Sequence, residues 1–396
     1  MPRDESSLQD THISVPEPHG TAQDTHISGN PLQDTALDIA QDTHLLAKQV
    51  GRRQARRLDF KNGQVELSHG AGGRAMSDLI DLTFRQAFDN PLLNRCDDQA
   101  TFPIDSGHLV MTTDSFVISP LFFPGGDIGS LAVHGTVNDL AMGGAVPLYL
   151  TAGFILEEGF ALRDLQAIVR SMASAAAEAS VQIVAGDTKV VERGKGDGVF
   201  INTAGIGRLA DGVVVSGDRA RPGDKILVSG FIGDHGVAVM SQRKGLQFET
   251  QLVSDSAALH DLVAAMVRAD ATALRTLRDP TRGGVAATLN EIADRSGVGM
   301  RLFEDTLPIR EEVLGACELL GLDPLNVANE GKLIAIVDPD AAGVVLDALK
   351  RHPLGVHASV IGEVIEDSHN LVRMRTRIGG ERVIDWLHGE QLPRIC

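Results

Sequence analysis

Val137-Asn138-Asp139-Leu140-Ala141-Met142-Gly143-Gly144 is the stretch that best indicates the fold of the first half of the chain. It completes a helix predicted over residues 129–142, for which Asp127 is a candidate N-cap and the glycine pair a stop signal. The rest of this helix consists of small and apolar residues. Asn138 and Asp139 therefore stand out as candidates for a chemical role.

Strands and helices alternate on both sides of this helix, as judged from apolar runs and from helical periodicity. In the first half, strands are predicted at 108–113, 148–156, 181–185 and 199–207, and a second helix at 162–179. In the second half, strands are predicted at 225–229, 332–337 and 358–364, and helices at 260–277, 285–295, 309–320 and 341–350. The alternation predicts an α/β fold of the α+β type.

The chain of 396 residues is predicted to have two domains and two terminal extensions. Residues 1–57 contain a degenerate repeat in which Gln-Asp-Thr-His-Ile-Ser occurs at Gln9–Ser14 and again at Gln23–Ser28. This segment is too polar to bury a core, which predicts a disordered extension. The N-terminal domain is predicted over 58–213, the C-terminal domain over 214–375, and a mobile tail over 376–396.

The formal net charge of −17 argues against nucleic acid and anionic membranes as partners, because their phosphates would be repelled. A nucleotide substrate stays open, since carboxylates can hold Mg²⁺ and the metal can hold phosphates. The sequence shows no apolar run long enough to span a bilayer and no signal peptide. Three widely spaced cysteines, Cys96, Cys317 and Cys396, predict a reducing, cytoplasmic setting.

Four acidic segments are candidates for chemistry. They are Thr113-Asp114-Ser115-Phe116, Val137-Asn138-Asp139-Leu140, Gly186-Asp187-Thr188-Lys189 and Asp279-Pro280-Thr281-Arg282-Gly283-Gly284. An aspartate at a strand end is usually only a turn or cap residue, but several together supply the oxygen ligands that Mg²⁺ prefers. Lys189 could neutralise a transferring phosphoryl group, and Arg282 beside two glycines at a helix start favours an anion site.

Two more segments have both a structural and a functional interpretation. The run His69-Gly70-Ala71-Gly72-Gly73-Arg74 is either a lead-in to a helix or a flap whose backbone N–H groups close over phosphate. In Ala328-Asn329-Glu330-Gly331-Lys332, Glu330 is either an ordinary turn residue or a general base. The sequence has neither a P-loop nor a dinucleotide fingerprint, so a phosphate site must use another design.

Cys396 is the last residue, in a polar segment that carries Gly389 and Pro393. No pattern predicts its burial, and about eight extended residues span roughly 26 Å. The thiol could therefore enter an active site and also withdraw to meet another protein. The alternative interpretation is an exposed terminal thiol without a role.

Together these motifs resemble hydrogenase maturation factors of the HypE family, in the superfamily of aminoimidazole ribonucleotide (AIR) synthase. The resemblance runs from about Val65 to Cys396. The four acidic segments, the glycine-rich run and Asn329-Glu330-Gly331 are similar to the superfamily, and the ending Pro393-Arg394-Ile395-Cys396 is similar to the HypE family. It implies an AIR synthase-like two-domain fold, with an N-terminal ATP-binding domain. It also implies a homodimer whose first-domain sheets form a shared barrel, with ATP near the interface.

The resemblance also implies a reaction at Cys396. A carbamoyltransferase, HypF, loads a carbamoyl group on this thiol, and ATP-dependent dehydration converts the thiocarboxamide to a thiocyanate. The cyanide then passes to a HypC–HypD complex and becomes an iron ligand in [NiFe] hydrogenase. With Cys396 as the carrier, Lys189 would stabilise developing charge or shuttle a proton, and Glu330 would remove protons from nitrogen.

By the same resemblance, Mg²⁺ would be held by Asp114, Asp139 and Asp187. The implied ATP-binding residues are His69, Gly72, Gly73, Asp114, Asn138, Asp139, Asp187, Thr188 and Arg282. Two alternatives stay open at this point. One is another superfamily enzyme that acts on a small molecule, and the other is a non-catalytic carrier that presents Cys396 to a maturation complex.

Overall fold

The structure is a computed structural model, and it describes residues 58–66, 78–90, 108–244, 252–385 and 394–396. These residues belong to one compact unit, Leu58–Cys396. Within the described ranges, none of the helices has both the length and the apolar character that crossing a membrane requires. The predicted repeat extension, 1–57, lies outside the described residues.

The first half forms a four-stranded sheet. Its strands are β1 (Leu109–Phe116), β4 (Ala145–Glu157), β5 (Gln182–Val191) and β6 (Val199–Leu209), in the order β1-β6-β4-β5. Only β4 and β5 are parallel, and helix α2 (Leu162–Glu178) connects them. A short hairpin, β2 (Phe122–Phe123) and β3 (Gly126–Asp127), precedes helix α1 (Ile128–Met142). A π-helix, Ile80–Arg85, lies upstream.

Helix α1 begins where the sequence predicts. Asp127 accepts hydrogen bonds from the backbone N–H groups of Gly129 and Ser130, and Ser130 Oγ accepts one from the Asp127 N–H, which completes a capping box. Helix α1 ends at Met142, and Gly143 is its C-cap, as the predicted stop signal indicates. A Cβ at Gly135 would lie 2.8 Å from the Phe116 ring, so glycine allows the helix to lie close against strand β1. This close packing positions Asp139 beside the strand that carries Asp114.

The two faces of the first sheet differ. Its inner face packs against α1 and α2 in one large apolar core. On its outer face, large apolar side chains are exposed at Leu109, Met111, Val146 and Ile155. An exposed apolar surface of this kind on a regular sheet usually indicates an interface.

The second half forms a seven-stranded sheet in the order β13-β12-β9-β11-β7-β10-β8. The strands are β7 (Lys225–Val228), β8 (Leu274–Arg278), β9 (Gly299–Phe303), β10 (Ile334–Val337), β11 (Ser359–Ile365), β12 (Val372–Arg375) and β13 (Glu381–Val383). The helices are α3 (Asp234–Lys244), α4 (His260–Asp270), α5 (Gly284–Ser296), α6 (Glu311–Leu320) and α7 (Ala342–Arg351). Short 3₁₀ turns occur at Ala271–Ala273, Glu304–Thr306, Pro324–Asn326 and Pro353–Gly355.

The mixed α/β architecture agrees with the predicted fold class, but three local predictions were wrong. The helix expected over 260–277 ends at Asp270, and Leu274–Arg278 is a strand of the second sheet. Strand β1 continues through Asp114 to Phe116 instead of ending there. The segment predicted as a tail from residue 376 still contributes Glu381–Val383 to the second sheet.

A candidate active site around Cys396

Asp114 lies on the inner face of strand β1, where α1 packs. The backbone N–H of Ser115 donates to Asp114 Oδ1 at 2.7 Å. Burial raises the pKa of Asp114, while this hydrogen bond and the nearby charge of Arg282 oppose the rise. Asp114 and Arg282 come from different halves of the chain, so the fold joins two of the predicted site residues.

Asp139, in the last turn of α1, lies next to the same strand. Thr112 donates from Oγ1 to Asp139 Oδ2 at 2.9 Å. Burial raises the pKa of Asp139, and the negative charge of Asp114 raises it further. Asp279, directly after strand β8, completes the group: burial and the charges of Asp139 and Asp114 raise the pKa of Asp279 to about 7. The three carboxyl groups therefore lie near one region, where Asp114 acts on Asp139 and both act on Asp279.

Glu330 is the most deeply buried acid of this region, with 2% of its surface exposed. Burial, followed by the charges of Asp279 and Asp255, raises the pKa of Glu330 well above its usual range. Among the described residues, no group forms a hydrogen bond with the side-chain atom Oε1 of Glu330. A buried, unpaired carboxyl oxygen is costly unless a ligand uses it. This argues against the interpretation of Glu330 as an ordinary turn residue.

The residues next to Glu330 explain why the motif reads Asn-Glu-Gly. Asn329 donates to the carbonyl oxygens of Pro280 at 3.0 Å and Val327 at 2.9 Å, and its Oδ1 accepts from the Gly233 N–H at 2.7 Å. A Cβ at Gly331 would lie 1.7 Å from the Asp255 carbonyl oxygen, so only glycine fits. The motif therefore ties the Glu330 segment to the loop that carries Asp279.

A second backbone constraint explains the glycine pair after Arg282. Gly283 and Gly284 have φ angles of 76° and 60°, in the left-handed region that favours glycine. A Cβ at Gly284 would lie 2.5 Å from the Leu325 carbonyl oxygen. The tight turn makes Gly283 the N-cap and starts helix α5 at Gly284, so Arg282 lies just before the helix N-terminus.

Cys396 lies among these groups. Burial raises the pKa of the Cys396 thiol to about 12, and the charges of Glu330, Asp114 and Asp279 contribute in the same direction, while Arg282 opposes them. The thiol is half-buried, contrary to the prediction that nothing would bury it. Cys396, Glu330, Asp114 and Arg282 were all predicted site residues, and the structure brings them together.

The side chain of Asn138, a predicted ATP-binding residue, forms its hydrogen bonds within the protein. It is 1% exposed, and its Nδ2 donates to the carbonyl oxygens of Ala257 at 3.0 Å and Glu330 at 3.1 Å. Its Oδ1 accepts from the Leu259 N–H at 2.8 Å. The Nδ2 amide group therefore donates to main-chain carbonyls of the protein, one of them that of Glu330, and leaves no amide hydrogen to donate to a nucleotide. On a helix, one residue of separation turns Asn138 away from the surface that Asp139 reaches.

Asp187 and Lys189 are not brought to Cys396 within one chain. They lie on the exposed outer face of β5 and form an ion pair at 2.8 Å. Asp114 faces inward on β1. Cross-strand pairing puts Thr203, Ala152 and Gly186 on the same inner face as Asp114. Successive residues of a strand point to opposite faces, so Asp187, the residue after Gly186, lies on the outer face. The predicted Mg²⁺ set of Asp114, Asp139 and Asp187 is therefore not assembled in a single chain.

Thr188 is buried on the inner face of β5, beside an apolar pocket lined by Phe84, Phe88 and Phe154. The predicted phosphate flap, with His69, Gly72 and Gly73, lies outside the described residues. Asp279 was part of a recognised motif but was not selected as a site residue from the sequence. Asp255 was missed entirely: its Oδ1 accepts from the Glu330 N–H at 3.0 Å, and Lys332 Nζ lies 3.2 Å from its Oδ2.

The donor set can be tested against Mg²⁺. Among the described residues, no group of three or more His, Cys, Asp or Glu side chains is placed so that it could hold a metal ion by itself. Mg²⁺ usually needs only one or two protein carboxylates, because water and phosphate oxygens supply the rest. Asp114 raises the pKa of Asp139, and both residues raise the pKa of Asp279, so a cation would relieve this repulsion. These carboxylates therefore fit Mg²⁺ bound together with a nucleotide.

Comparison with known proteins assigns the family. Residues 96–209 match the family described as AIR synthase related protein, N-terminal domain, and residues 221–374 match AIR synthase related protein, C-terminal domain. The carbamoyl dehydratase HypE of Bradyrhizobium diazoefficiens is 62% identical over 341 residues, which cover 86% of this chain and 99% of the relative. The chain belongs to the HypE family of carbamoyl dehydratases.

Two solved HypE structures have the same fold. A HypE crystal structure in complex with ATP superposes with a TM-score of 0.81 at 50% identity, covering 84% of this chain and 99% of that one. HypE in a HypE–HypF complex superposes with a TM-score of 0.69 at 52% identity, covering 78% of this chain and 99% of that one. The recognised fold and the membership in an enzyme family are both confirmed.

Proposed function

We propose that this protein uses ATP to dehydrate a carbamoyl group carried on its own Cys396, converting an S-carboxamide to an S-cyanate. The relatives named carbamoyl dehydratase and the ATP complex of a HypE support the reaction class. The single observation that carries the proposal is that the C-terminal thiol is partly buried where the charges of Glu330, Arg282 and Asp114 act on it. A terminal cysteine without a role would not lie among buried carboxyl groups.

The thiol itself suits a carrier better than a nucleophile. The attacking form of a cysteine is the thiolate, and a pKa of about 12 keeps the docked Cys396 protonated at neutral pH. Loading by HypF therefore belongs to an undocked state, in which the thiol has a more ordinary pKa. The HypE–HypF complex of a relative supports HypF as the partner. A HypC–HypD complex is the proposed acceptor of the cyanide.

In the dehydration, the amide oxygen becomes a leaving group when ATP phosphorylates it. The nitrogen then loses two protons as the C–N bond becomes a triple bond, and ADP and phosphate are released. Glu330 is the proposed base, since its side chain is buried next to the thiol and its raised pKa makes its carboxylate a stronger base. Arg282 is proposed to stabilise the negative charge on the transferring phosphoryl group.

Asp114 and Asp139, with Asp279 beside them, are the residues we propose for holding Mg²⁺ with the triphosphate. A bound Mg²⁺ would neutralise phosphate charge and orient the triphosphate. The low exposure of these carboxyl groups strengthens their interaction with any cation. Asp139 is also oriented by the hydroxyl of Thr112, so its carboxylate is preorganised before a ligand arrives.

A homodimer would allow Asp187 and Lys189 to take part in the proposed reaction. We propose that the outer face of the first sheet, with Met111 and Ile155 exposed, packs against the same face of a second copy. Asp187 and Lys189 lie on that face, so they would contribute to the nucleotide site from the interface. We place the whole reaction in the cytoplasm, where cysteines stay reduced.

Intact-mass spectrometry tests the proposal directly. The protein is incubated with HypF, carbamoyl phosphate and Mg–ATP, and Cys396→Ser is the control. The expected result is a carbamoyl adduct on Cys396 that loses one water only when ATP is present. An adduct on another residue, or an adduct on Cys396 that keeps its water with ATP, contradicts the proposal. The latter outcome would favour the non-catalytic carrier.

A further inference from the structure

The last three residues of the chain bind to the protein mainly through their main-chain carbonyl groups. The Arg394 carbonyl accepts from the Ser119 N–H at 3.2 Å and from Arg243 Nη2 at 2.8 Å. The Ile395 carbonyl accepts from His235 Nε2 at 2.8 Å, and the Cys396 carbonyl accepts from the Val117 N–H at 3.1 Å. Three successive carbonyls are thus each bound by a donor of the folded chain.

The side chains before Cys396 add to this contact. Arg394 Nε donates to the Val117 carbonyl at 2.9 Å, and its guanidinium forms an ion pair with Asp197. Ile395 is 2% exposed and joins the core of the first half of the chain. The side chains of Arg394 and Ile395, the two residues before Cys396, therefore also hold the end of the chain against the protein.

The protonation of His235 follows from its partners. Its ring is fully buried, and a carbonyl oxygen only accepts, so Nε2 carries the hydrogen that binds the Ile395 carbonyl. On the other side, Nδ1 lies 2.8 Å from Ser254 Oγ, and Ser254 Oγ also accepts from the Ser256 N–H. Burial lowers the pKa of His235, so the ring is neutral. One tautomer is thus fixed with its donor aimed at the tail.

Arg243 joins the tail to the segment that follows strand β1. Its Nε donates to the Ser119 carbonyl at 2.8 Å and its Nη2 donates to the Arg394 carbonyl at 2.8 Å. The planar guanidinium has donors at fixed angles, so it can span two carbonyls that a lysine could not hold equally well. Both His235 and Arg243 lie in or next to helix α3, an element that no sequence motif indicated.

We propose that His235 and Arg243 form a tail-docking site that binds the carbonyls of Ile395 and Arg394 and so positions Cys396 beside Glu330. They act as positioning residues, because they contact the main chain next to the thiol and none of the reacting atoms. The kinetic part of this inference rests on the proposed function. The docking itself does not, since it concerns only where the thiol lies.

The docking test measures how fast N-ethylmaleimide alkylates Cys396, read by peptide mass spectrometry so that other cysteines do not interfere. His235→Leu removes the donor, whereas His235→Gln keeps an N–H group of similar reach. Loss of one such hydrogen bond shifts a docking equilibrium by roughly fivefold to tenfold. We expect His235→Leu and Arg243→Gln to be alkylated about fivefold or more faster than the wild type, and His235→Gln to lie between.

Arg373→Gln is the matched control, because Arg373 lies in the second sheet and forms its 2.8 Å ion pair with Asp367, not with the docked residues 394–396. Its alkylation rate should equal that of the wild type. If the buried His235→Leu is unstable, Arg243→Gln still decides, since Arg243 is only half-buried. Unchanged alkylation of Cys396 in folded Arg243→Gln, and in His235→Leu where that variant folds, would overturn the proposal.

A second readout separates the docking from the chemistry. In single turnover, carbamoylated His235→Leu and Arg243→Gln should lose water more slowly, whereas their loading by HypF should not be slowed. If alkylation accelerates but even the wild type never dehydrates its adduct, the docking site stands and the proposed function fails. If the wild type dehydrates and neither variant changes alkylation or rate, the proposed function stands and the docking site fails.

Discussion

The side-chain amide of Asn138 donates to the main-chain carbonyl of Glu330 at 3.1 Å. This bond joins helix α1, from the first half of the chain, to the segment that carries the proposed base. The two residues are 192 positions apart, yet one buried amide fixes their relative position. Asn138 is therefore part of the scaffold that sets where Glu330 lies.

Replacing Asn138 tests this role. Asn138→Ala leaves the carbonyls of Ala257 and Glu330 and the N–H of Leu259 without their buried partner. We expect the free energy of unfolding to fall by about 1–3 kcal/mol, measured by urea denaturation. Gln182→Ala, at an exposed amide at the start of β5, is the control and should change little. If Asn138→Ala instead keeps the stability of the wild type and binds ATP more weakly, Asn138 is a nucleotide-binding residue.

Glu330→Gln keeps the shape of the side chain and removes the base. We expect dehydration of the carbamoylated protein to slow by about a hundredfold or more in single turnover, the usual contribution of a general base. Carbamoyl loading should persist. Glu363→Gln, which loses an ion pair with Lys225 in the second sheet, is the control. An unchanged rate in Glu330→Gln would remove this residue from the mechanism.

The pKa of Asp279 predicts how stability depends on pH. The folded value is about 7 against an ordinary 3.8, so between these values the folded protein holds a proton that the unfolded chain has released. The free energy of unfolding should therefore fall as pH rises from about 4 to about 7. The raised pKa values of Asp114, Asp139 and Glu330 act in the same direction.

Asp279→Asn should reduce this dependence. Thermal unfolding of the nucleotide-free protein at about pH 5 and about pH 8 measures it, and the loss of stability on the alkaline side should be smaller in the variant. Asp305→Asn, at an exposed position of the turn Glu304–Thr306, is a suitable control. An identical pH dependence in Asp279→Asn and wild type would show that Asp279 is charged in the folded protein at both values.

The outer face of the first sheet predicts the oligomeric state. Ile155→Asp places a charge in the proposed interface, and we expect sedimentation velocity to show monomers where the wild type forms dimers. Ile378→Asp makes the same change at a side chain that is 96% exposed and lies outside that sheet, so it should leave the dimer intact. A dimer that withstands Ile155→Asp would place the interface elsewhere.

The sequence predicted the site residues better than it predicted which way they face. Asp127 as N-cap and the stop at Gly143 follow from local rules, and they proved correct because local hydrogen bonds decide them. The orientation of Asp187 depends on its parity along β5 and on a strand order set by distant pairing. No local pattern contains that information, so Asp187 was grouped with Asp114 although the two face opposite sides.

Other misses have similar causes. The end of helix α4 at Asp270 was missed because the apolar residues continue into β8, and only pairing with β10 makes that stretch a strand. His235 and Arg243 were missed because they bind main-chain carbonyls of the tail, which every residue possesses. A site that recognises backbone leaves no matching motif in the segment it recognises.

Strand β1 carries two interleaved sets of residues with separate tasks. Asp114 and Phe116 face the helix and the site, whereas Met111, Thr113 and Ser115 face the surface proposed to meet a second copy. Since neighbouring residues in a strand point to opposite sides, inserting or deleting one residue within β1 would exchange the two sets. Chemistry and assembly would then fail together, although no single residue belongs to both. Substitutions can alter either task alone, but changes of length cannot.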